Sequence, residues 1–136
     1  MTLLGLDVGE ARIGLAMGDS AIRIASPWGI VEAQPEAQAF AQLRDLIRRE
    51  RVERIVIGMP RLLREPGHET QQQRQIRAWV ERFEKMIDVP CAFADETLST
   101  ALAARWQNER QQKGKRDDLA AVAILQAYLD RLPDGA

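Results

Sequence analysis

The sequence predicts a single α/β domain built on a mixed five-stranded sheet with helices on both faces. Three observations predict it. The chain opens with two short apolar segments joined by a glycine-bounded turn, later segments alternate between strand-like and helix-like patterns, and 136 residues is the size of one ordinary domain. A hairpin followed by strand–helix alternation is typical of a sheet with both antiparallel and parallel pairs.

The first two strands are predicted between residues 3 and 17. Residues 3–6 form a short apolar run of the kind seen in a strand buried on both faces, and residues 13–17 alternate large apolar with small side chains. Gly9 and Gly14 bracket the turn. Asp7 stands at the end of the first strand, where an uncompensated carboxylate would cost several kcal/mol.

The middle of the chain continues the pattern. Residues 22–31 are predicted as a third strand, placed at the edge of the sheet because Pro27 cannot donate a ladder hydrogen bond. A helix begins near Pro35, with an acid in its first turn and a stripe through Phe40, Leu43 and Ile47. Residues 55–58 are wholly apolar, which indicates a central parallel strand.

The second half alternates in the same way. Residues 61–70 are predicted as a loop after a strand's carboxyl end, residues 70–87 as a helix, residues 91–94 as a strand, and residues up to about 109 as another helix. A final helix begins at residue 117. Its predicted packing residues are Leu119, Val122, Leu125 and Leu129, and its small face consists of Ala120, Ala121 and Ala123, which would let the helix lie close to the sheet.

Composition excludes several classes of protein. Hydrophobic residues make up 46% of the chain, but no apolar stretch approaches the roughly 20 residues that span a bilayer, so a cytosolic protein without membrane contact is expected. Cys91 is the only cysteine, which rules out an internal disulfide and a cysteine-based zinc site. The net charge of -1 argues against a protein that coats DNA non-specifically.

Three acids are expected at the ends of elements: Asp7 after the first strand, Glu96 after the last strand, and Asp117 at the start of the final helix. If the first strand is central and the last helix crosses it, their carboxylates meet at one edge of the sheet. Meeting carboxylates repel unless a proton or a cation lies among them, and hard oxygen ligands select Mg²⁺ or Mn²⁺. Because two such ions can clamp a phosphodiester, the pattern indicates a metal-dependent nuclease.

Structural roles for the same acids stay open. Asp7 is also suited to bond the backbone amides of the turn that follows it, Asp117 to cap its helix, and Asp95 and Glu96 to serve as ordinary turn residues. A binding module with little turnover and a nucleotide-binding fragment of the actin-like kind are the competing functions. The second lacks a further glycine-rich phosphate loop.

Four motifs in order resemble the YqgF/RuvX family of Holliday-junction resolvases and ribosomal-RNA maturation nucleases, in the RNase H-like superfamily. The similarity covers nearly the whole chain. The motifs are residues 4–14 (LGLDVGEARIG), residues 55–60 (IVIGMP), residues 95–100 (DETLST), and residues 113–129, with KGK before Asp117 and ILQAYL at the end. Sugar kinases and actin-like ATPases share a hairpin like the first motif, so the order of all four carries the resemblance.

The resemblance implies one RNase H-like nuclease domain over residues 1–136, acting on branched DNA or on precursor 16S ribosomal RNA. It implies that Asp7, Glu96 and Asp117 are catalytic and hold Mg²⁺ or Mn²⁺. Asp117 is favoured over Asp118 because it has the family's spacing to the alanines that follow. Supporting positions around them are Asp95, Asp118, Glu10 and His68. Glu10 stands where the family often has a small hydroxyl residue, and residues 61–66 replace a more acidic loop, which leaves substrate preference open.

Nucleic acid is the expected partner. Cations predicted to contact phosphates are Arg12, Arg61, Arg64, Lys113, Lys115 and Arg116. His68 is either a proton shuttle or a solvated loop residue. Trp28, Trp79 and Trp106 are candidates for base stacking, although helical spacing favours packing or a dimer surface for the last two. Cutting a symmetric junction twice would require a homodimer.

Overall fold

A five-stranded mixed sheet with helices on both faces forms the body of the molecule. The computed structural model describes residues 1–60, 69–95 and 117–133. The strands are β1 (Thr2–Val8), β2 (Arg12–Asp19), β3 (Ala25–Glu32), β4 (Arg54–Met59) and β5 (Cys91–Asp95), and the helices are α1 (Glu36–Arg49), α2 (Gln71–Glu84) and α3 (Asp117–Asp130). The predicted α/β class is confirmed.

β1 is the middle strand of the sheet, whose order is β3-β2-β1-β4-β5. The pairs β1–β2 and β2–β3 are antiparallel, whereas β1–β4 and β4–β5 are parallel. The edge position of the third strand was predicted, and the central place of the first strand meets the condition under which the three acids were expected to converge. The carboxyl ends of β1, β4 and β5 therefore lie at the same edge of the sheet.

Two hydrophobic layers separate cleanly because side chains alternate along each strand. Leu4 and Leu6 of β1 belong to the layer covered by α1 and α2, whereas Leu3 belongs to the layer covered by α3. An aromatic cluster stabilises the first layer: the rings of Phe40, Trp79 and Phe83 have centroids 5.0–5.3 Å apart. Trp79 is thus a core residue, as its helical spacing predicted.

α3 lies unusually close to the sheet. A Cβ atom placed on Gly5 would stand 2.8 Å from Leu125 Cβ and 3.1 Å from the Ala121 carbonyl oxygen. The predicted close approach is confirmed. Of the predicted packing residues, Leu125 and Leu129 are buried and Val122 packs half-buried against their cluster, whereas Leu119 is only half-buried. The reason is that the helix presents Ala121 to the sheet, so the buried stripe is rotated toward that residue.

Several element ends differ from the predictions. β3 begins at Ala25 rather than residue 22, and Ile22 and Ile24 precede it with 69% and 61% of their surface exposed. α2 ends at Glu84, with Lys85 as its C-cap. The helix expected after β5 and the loop expected after β4 fall largely outside the described residues.

The outer strand β3 contains a bulge. Leu15 pairs with Gly29 and Ala16 pairs with Pro27, which leaves Trp28 as an extra residue without a partner across the ladder. Gly29 has φ +113°, a conformation that side chains disfavour. Pro27 is tolerated here because an edge strand has one side without ladder bonds.

Candidate active site

Asp7 occupies the carboxyl end of the middle strand and points to the α3 side of the sheet. It follows Leu3 and Gly5 at intervals of two residues, and those residues contact the α3 layer. The side chain is half-buried. The Asp7 side chain therefore lies at the boundary between solvent and the face of the sheet that α3 covers.

The turn after Asp7 is tight and fixes where that strand ends. The amide of Gly9 donates to the carbonyl of Arg12 over 3.0 Å, and a Cβ on Gly9 would stand 2.7 Å from the same oxygen. Only glycine fits there. The Ala33 amide, which follows β3, also donates to the Ala11 carbonyl over 2.9 Å. The end of β1 is therefore held by backbone contacts on two sides.

The parallel strands end level with Asp7. Leu6 pairs with Ile57 in β4, and Met59 pairs with Asp95 in β5. Neighbouring strands lie about 4.8 Å apart, so the end of β5 is about 10 Å from the end of β1. Asp95, the last residue of β5, therefore lies at the edge of the sheet where the sequence predicts it. Glu96, the next residue, lies outside the described part of the chain.

The start of α3 reaches the same edge. Gly5 faces Ala121 and Leu125, while Gly18, which pairs with Leu3, faces Leu125 and Leu129, so the helix runs with its first turn toward Asp7. Two strand residues advance about 6.6 Å and four helix residues about 6.0 Å, which brings the first turn of α3 level with Asp7.

Asp118 is the buried carboxylate of that first turn, with 5% of its surface exposed. It lies three residues before Ala121 and seven before Leu125, so it shares their sheet-facing stripe. Sequence reasoning gave Asp118 a supporting position and Asp117 the metal. The structure adds to this that Asp118 faces the sheet near the end of β1.

The predicted metal ligands are only partly described. Among residues 1–60, 69–95 and 117–133, no group of three or more His, Cys, Asp or Glu side chains is arranged to hold a metal ion. Glu96 and the side chain of Asp117 are outside that set, so the predicted trio stays a prediction. The described part fits a hard divalent cation in its donor chemistry, since Asp7 brings carboxylate oxygens to a half-buried strand end.

Of the predicted phosphate contacts, Arg12 is described. It is half-buried at the start of β2, on the far side of the turn from Asp7. The remaining candidates lie outside the described residues: Arg61, Arg64, Lys113, Lys115 and Arg116, together with His68 and Trp106.

Glu10 is exposed and lines a groove of about 520 Å³ between the hairpin turn, the amino end of α1 and one side of α2. Glutamine side chains dominate its rim, and Ile76 and Trp79 lie beneath. Arg82 donates to both carboxylate oxygens of Glu36 there, over 2.7 and 2.9 Å, and these bonds raise the pKa of Arg82. This groove was not predicted from the sequence. The run of glutamines at residues 71–73 was its only signal.

The chain is similar to a known nuclease family over almost its whole length. The family model RuvX, described as Holliday junction resolvase, matches residues 1–131. A protein of Anaeromyxobacter dehalogenans strain 2CP-1 named "Putative pre-16S rRNA nuclease" is 38% identical over 136 residues, covering 96% of this chain and 98% of that protein. A protein of Chloroflexus aggregans with the same name is 36% identical, covering 95% of this chain and 93% of the relative.

Solved structures share the fold. Thermus thermophilus RuvC in complex with a Holliday junction substrate matches with a TM-score of 0.62 and 16% identity, over 96% of this chain and 94% of that one. The fowlpox virus Holliday junction resolvase matches with a TM-score of 0.58 and 14% identity, over 97% of this chain and all of the other. The RNase H-like architecture expected from the sequence motifs is thereby confirmed. No helix in the described ranges is long and apolar enough to cross a membrane.

Proposed function

Because the chain belongs to the RuvX family of Holliday junction resolvases, we propose that it is a divalent-metal-dependent endonuclease that hydrolyses phosphodiester bonds in structured nucleic acid. One observation carries the proposal beyond family membership. Asp7 ends the middle strand level with the first turn of α3 and at the edge where β5 ends. A substrate phosphate brought to this edge would lie where β1 and β5 end and α3 begins.

Asp7, Glu96 and Asp117 are the proposed ligands of Mg²⁺ or Mn²⁺. When bound, such ions supply electrostatic stabilisation to a phosphodiester and lower the pKa of water. The protein's own contribution is to position these carboxylates. β1 pairs with β2 and with β4 and so fixes the position of Asp7 near its end, and the close packing of α3 on Gly5 holds the first turn beside it. Asp118 joins the candidates, since it is buried in that turn.

Precursor 16S ribosomal RNA is the first substrate to test. The relatives that are 36–38% identical over nearly the full chain carry a pre-16S rRNA nuclease name, whereas the junction-bound structure is 16% identical. Branched DNA is the second, from the family description. Only the second requires paired cuts and therefore a homodimer. Either substrate is consistent with action in the cytosol, which remains part of the proposal.

The decisive experiment compares wild-type protein with Asp7→Asn on precursor 16S rRNA and on a four-way DNA junction, with Mg²⁺ or Mn²⁺ and with chelator. Wild type should cut at least one substrate, and Asp7→Asn should lose at least about 100-fold in rate because a transition-state contact of several kcal/mol is lost. Asp118→Asn, run beside it, reports whether the buried acid contributes.

Asp45→Asn is the matched control, because Asp45 is an exposed acid on α1 and loses the same charge. It should cut at the wild-type rate. If wild type retards both nucleic acids in a gel but never cuts them, the protein is a binding module. If Asp7→Asn cuts as fast as wild type, the assignment of the active site is wrong.

A further inference from the structure

The outer strand exposes large apolar side chains. Trp28 is 43% exposed and Ile30 is 40% exposed, and Ile22 and Ile24 are more exposed still at the other end of the same edge. Large apolar side chains that are exposed close together along one strand are a feature of contact surfaces. We call Trp28 and Ile30 the β3 platform.

Ile30 of the β3 platform lies in register with the candidate active site, and Trp28 stands two residues before it on the same strand. Asp7 pairs with Gly14, and Gly14 pairs with Ile30. Residues paired across strands point to the same face, so Ile30 shares the face of Asp7 about 10 Å away, at two strand spacings. Gly14 stands between them and contributes no side chain. Within this row of paired residues, no side chain therefore lies between Asp7 and Ile30.

The edge of β3 is poorly suited to receive another strand. Pro27 has no amide hydrogen to donate, and the bulge at Trp28 interrupts the ladder. A second copy of the chain that paired edge to edge would lose bonds at both places. Contacts made by side chains, rather than by backbone, are what this strand offers.

We propose that the β3 platform stacks against an unpaired base of the substrate, beside the phosphodiester that Asp7 addresses. The inference rests on the proposed function and adds a substrate requirement to it: an unstacked nucleotide near the cut. Aromatic faces bind bases of any sequence, and such stacking is typically worth about 1–3 kcal/mol per base. The platform would thus select substrates by the presence of an unpaired nucleotide rather than by sequence.

The test measures binding in an Asp7→Asn background, so that no cutting occurs, to a junction or hairpin with unpaired nucleotides and to a fully paired duplex of equal length. Trp28→Ala should weaken binding of the first about 5- to 100-fold, which is the stacking energy converted to affinity, and leave the duplex unchanged. Ile30→Ala should act in the same direction, and Trp28→Phe should retain most of the affinity. Circular dichroism confirms that each variant folds.

Ile22→Ala and Ile24→Ala are the matched controls. They shorten exposed apolar side chains of the same edge at the end away from Asp7, and Met86→Ala does so on another surface. All three should bind like the parent. If they weaken binding as much as Trp28→Ala, or if Trp28→Ala leaves binding unchanged, the stacking proposal is wrong.

Two further outcomes separate the proposals. A sedimentation mass that falls from dimer to monomer on Trp28→Ala would assign the platform to a second copy instead of a base. If the Asp7→Asn protein is folded yet binds neither nucleic acid, the proposed function itself fails. If the Asp7→Asn protein binds nucleic acid and Trp28→Ala does not weaken that binding, only the stacking proposal is wrong.

Discussion

Gly5→Ala tests whether the close contact between β1 and α3 positions the active site. The added Cβ would stand 2.8 Å from Leu125 Cβ, whereas carbon atoms in contact lie about 3.5–4.0 Å apart. The helix must therefore move outward by about 0.7–1.2 Å. The Ala121 carbonyl oxygen at 3.1 Å is backbone and cannot rotate away. Overpacking of this kind costs about 1–3 kcal/mol.

Two measurements follow from that displacement. The melting temperature, followed by circular dichroism, should fall by about 3–12 °C for a domain of this size. Cleavage should fall by up to about 100-fold at a temperature where the variant is folded, because a displacement near 1 Å misplaces the first turn of α3 relative to Asp7.

Gly29→Ala provides a control for stability. Gly29 has φ +113° and no atom within 4 Å of an added Cβ, so alanine there strains the backbone by about 1–3 kcal/mol without moving α3. It should lower the melting temperature while leaving the cleavage rate at saturating substrate at the wild-type value, because strain beside Trp28 would weaken substrate binding without displacing α3. If Gly5→Ala melts and cuts like wild type, the contact does not hold the helix as described.

Two further predictions concern single side chains. Gln126 accepts from the Ala25 amide and donates to the Arg23 carbonyl, so Gln126→Ala should cost about 1–2 kcal/mol in urea unfolding. Gln126→Glu should not restore the loss, because its carboxylate would face the Arg23 carbonyl and the Asp130 carboxylate, to which the amide nitrogen of Gln126 donates. Burial, and secondarily the charge of Glu84, raises the pKa of Cys91 to about 12. The native thiol should therefore react far more slowly with a disulfide reagent at pH 8 than the unfolded chain does. Since the folded pKa lies above the unfolded value of 9.0, stability should fall as pH rises from 9 toward 12, and Cys91→Ala should remove that dependence.

The fold was predictable because its signals are local or periodic. The wholly apolar run of β4 and the alternation in β2 identify buried strands without tertiary information, and Pro27 identifies an edge. The rotation of α3 was not predictable in the same way. Ala121 faces the sheet because Gly5 leaves space opposite it, and that pairing joins residues 116 positions apart.

The same distinction between local signals and tertiary packing applies to the candidate site. That Asp7 ends a central strand could be inferred from the leucines before it and the glycine after it. That Asp118 is buried on the sheet-facing stripe depends on the helix rotation, so sequence reasoning ranked it below its neighbour. Trp28 as a stacking candidate and the edge position of β3 could be inferred from the sequence, but the bulge at Trp28 could not, because it arises from the register between strands, which a single strand's sequence does not specify.

The chain on either side of residues 61–68 is joined by a hydrogen bond from the Gln73 side-chain amide to the Pro60 carbonyl. Gln73 also completes a reciprocal cap with Thr70, so the beginning of α2 is fixed to the exit of β4 by its own side chains. Closing a longer segment between fixed ends costs only about 0.6 kcal/mol per doubling of length. Variants can therefore carry other residues, or more of them, in place of these eight while the connection from β4 to α2 stays intact.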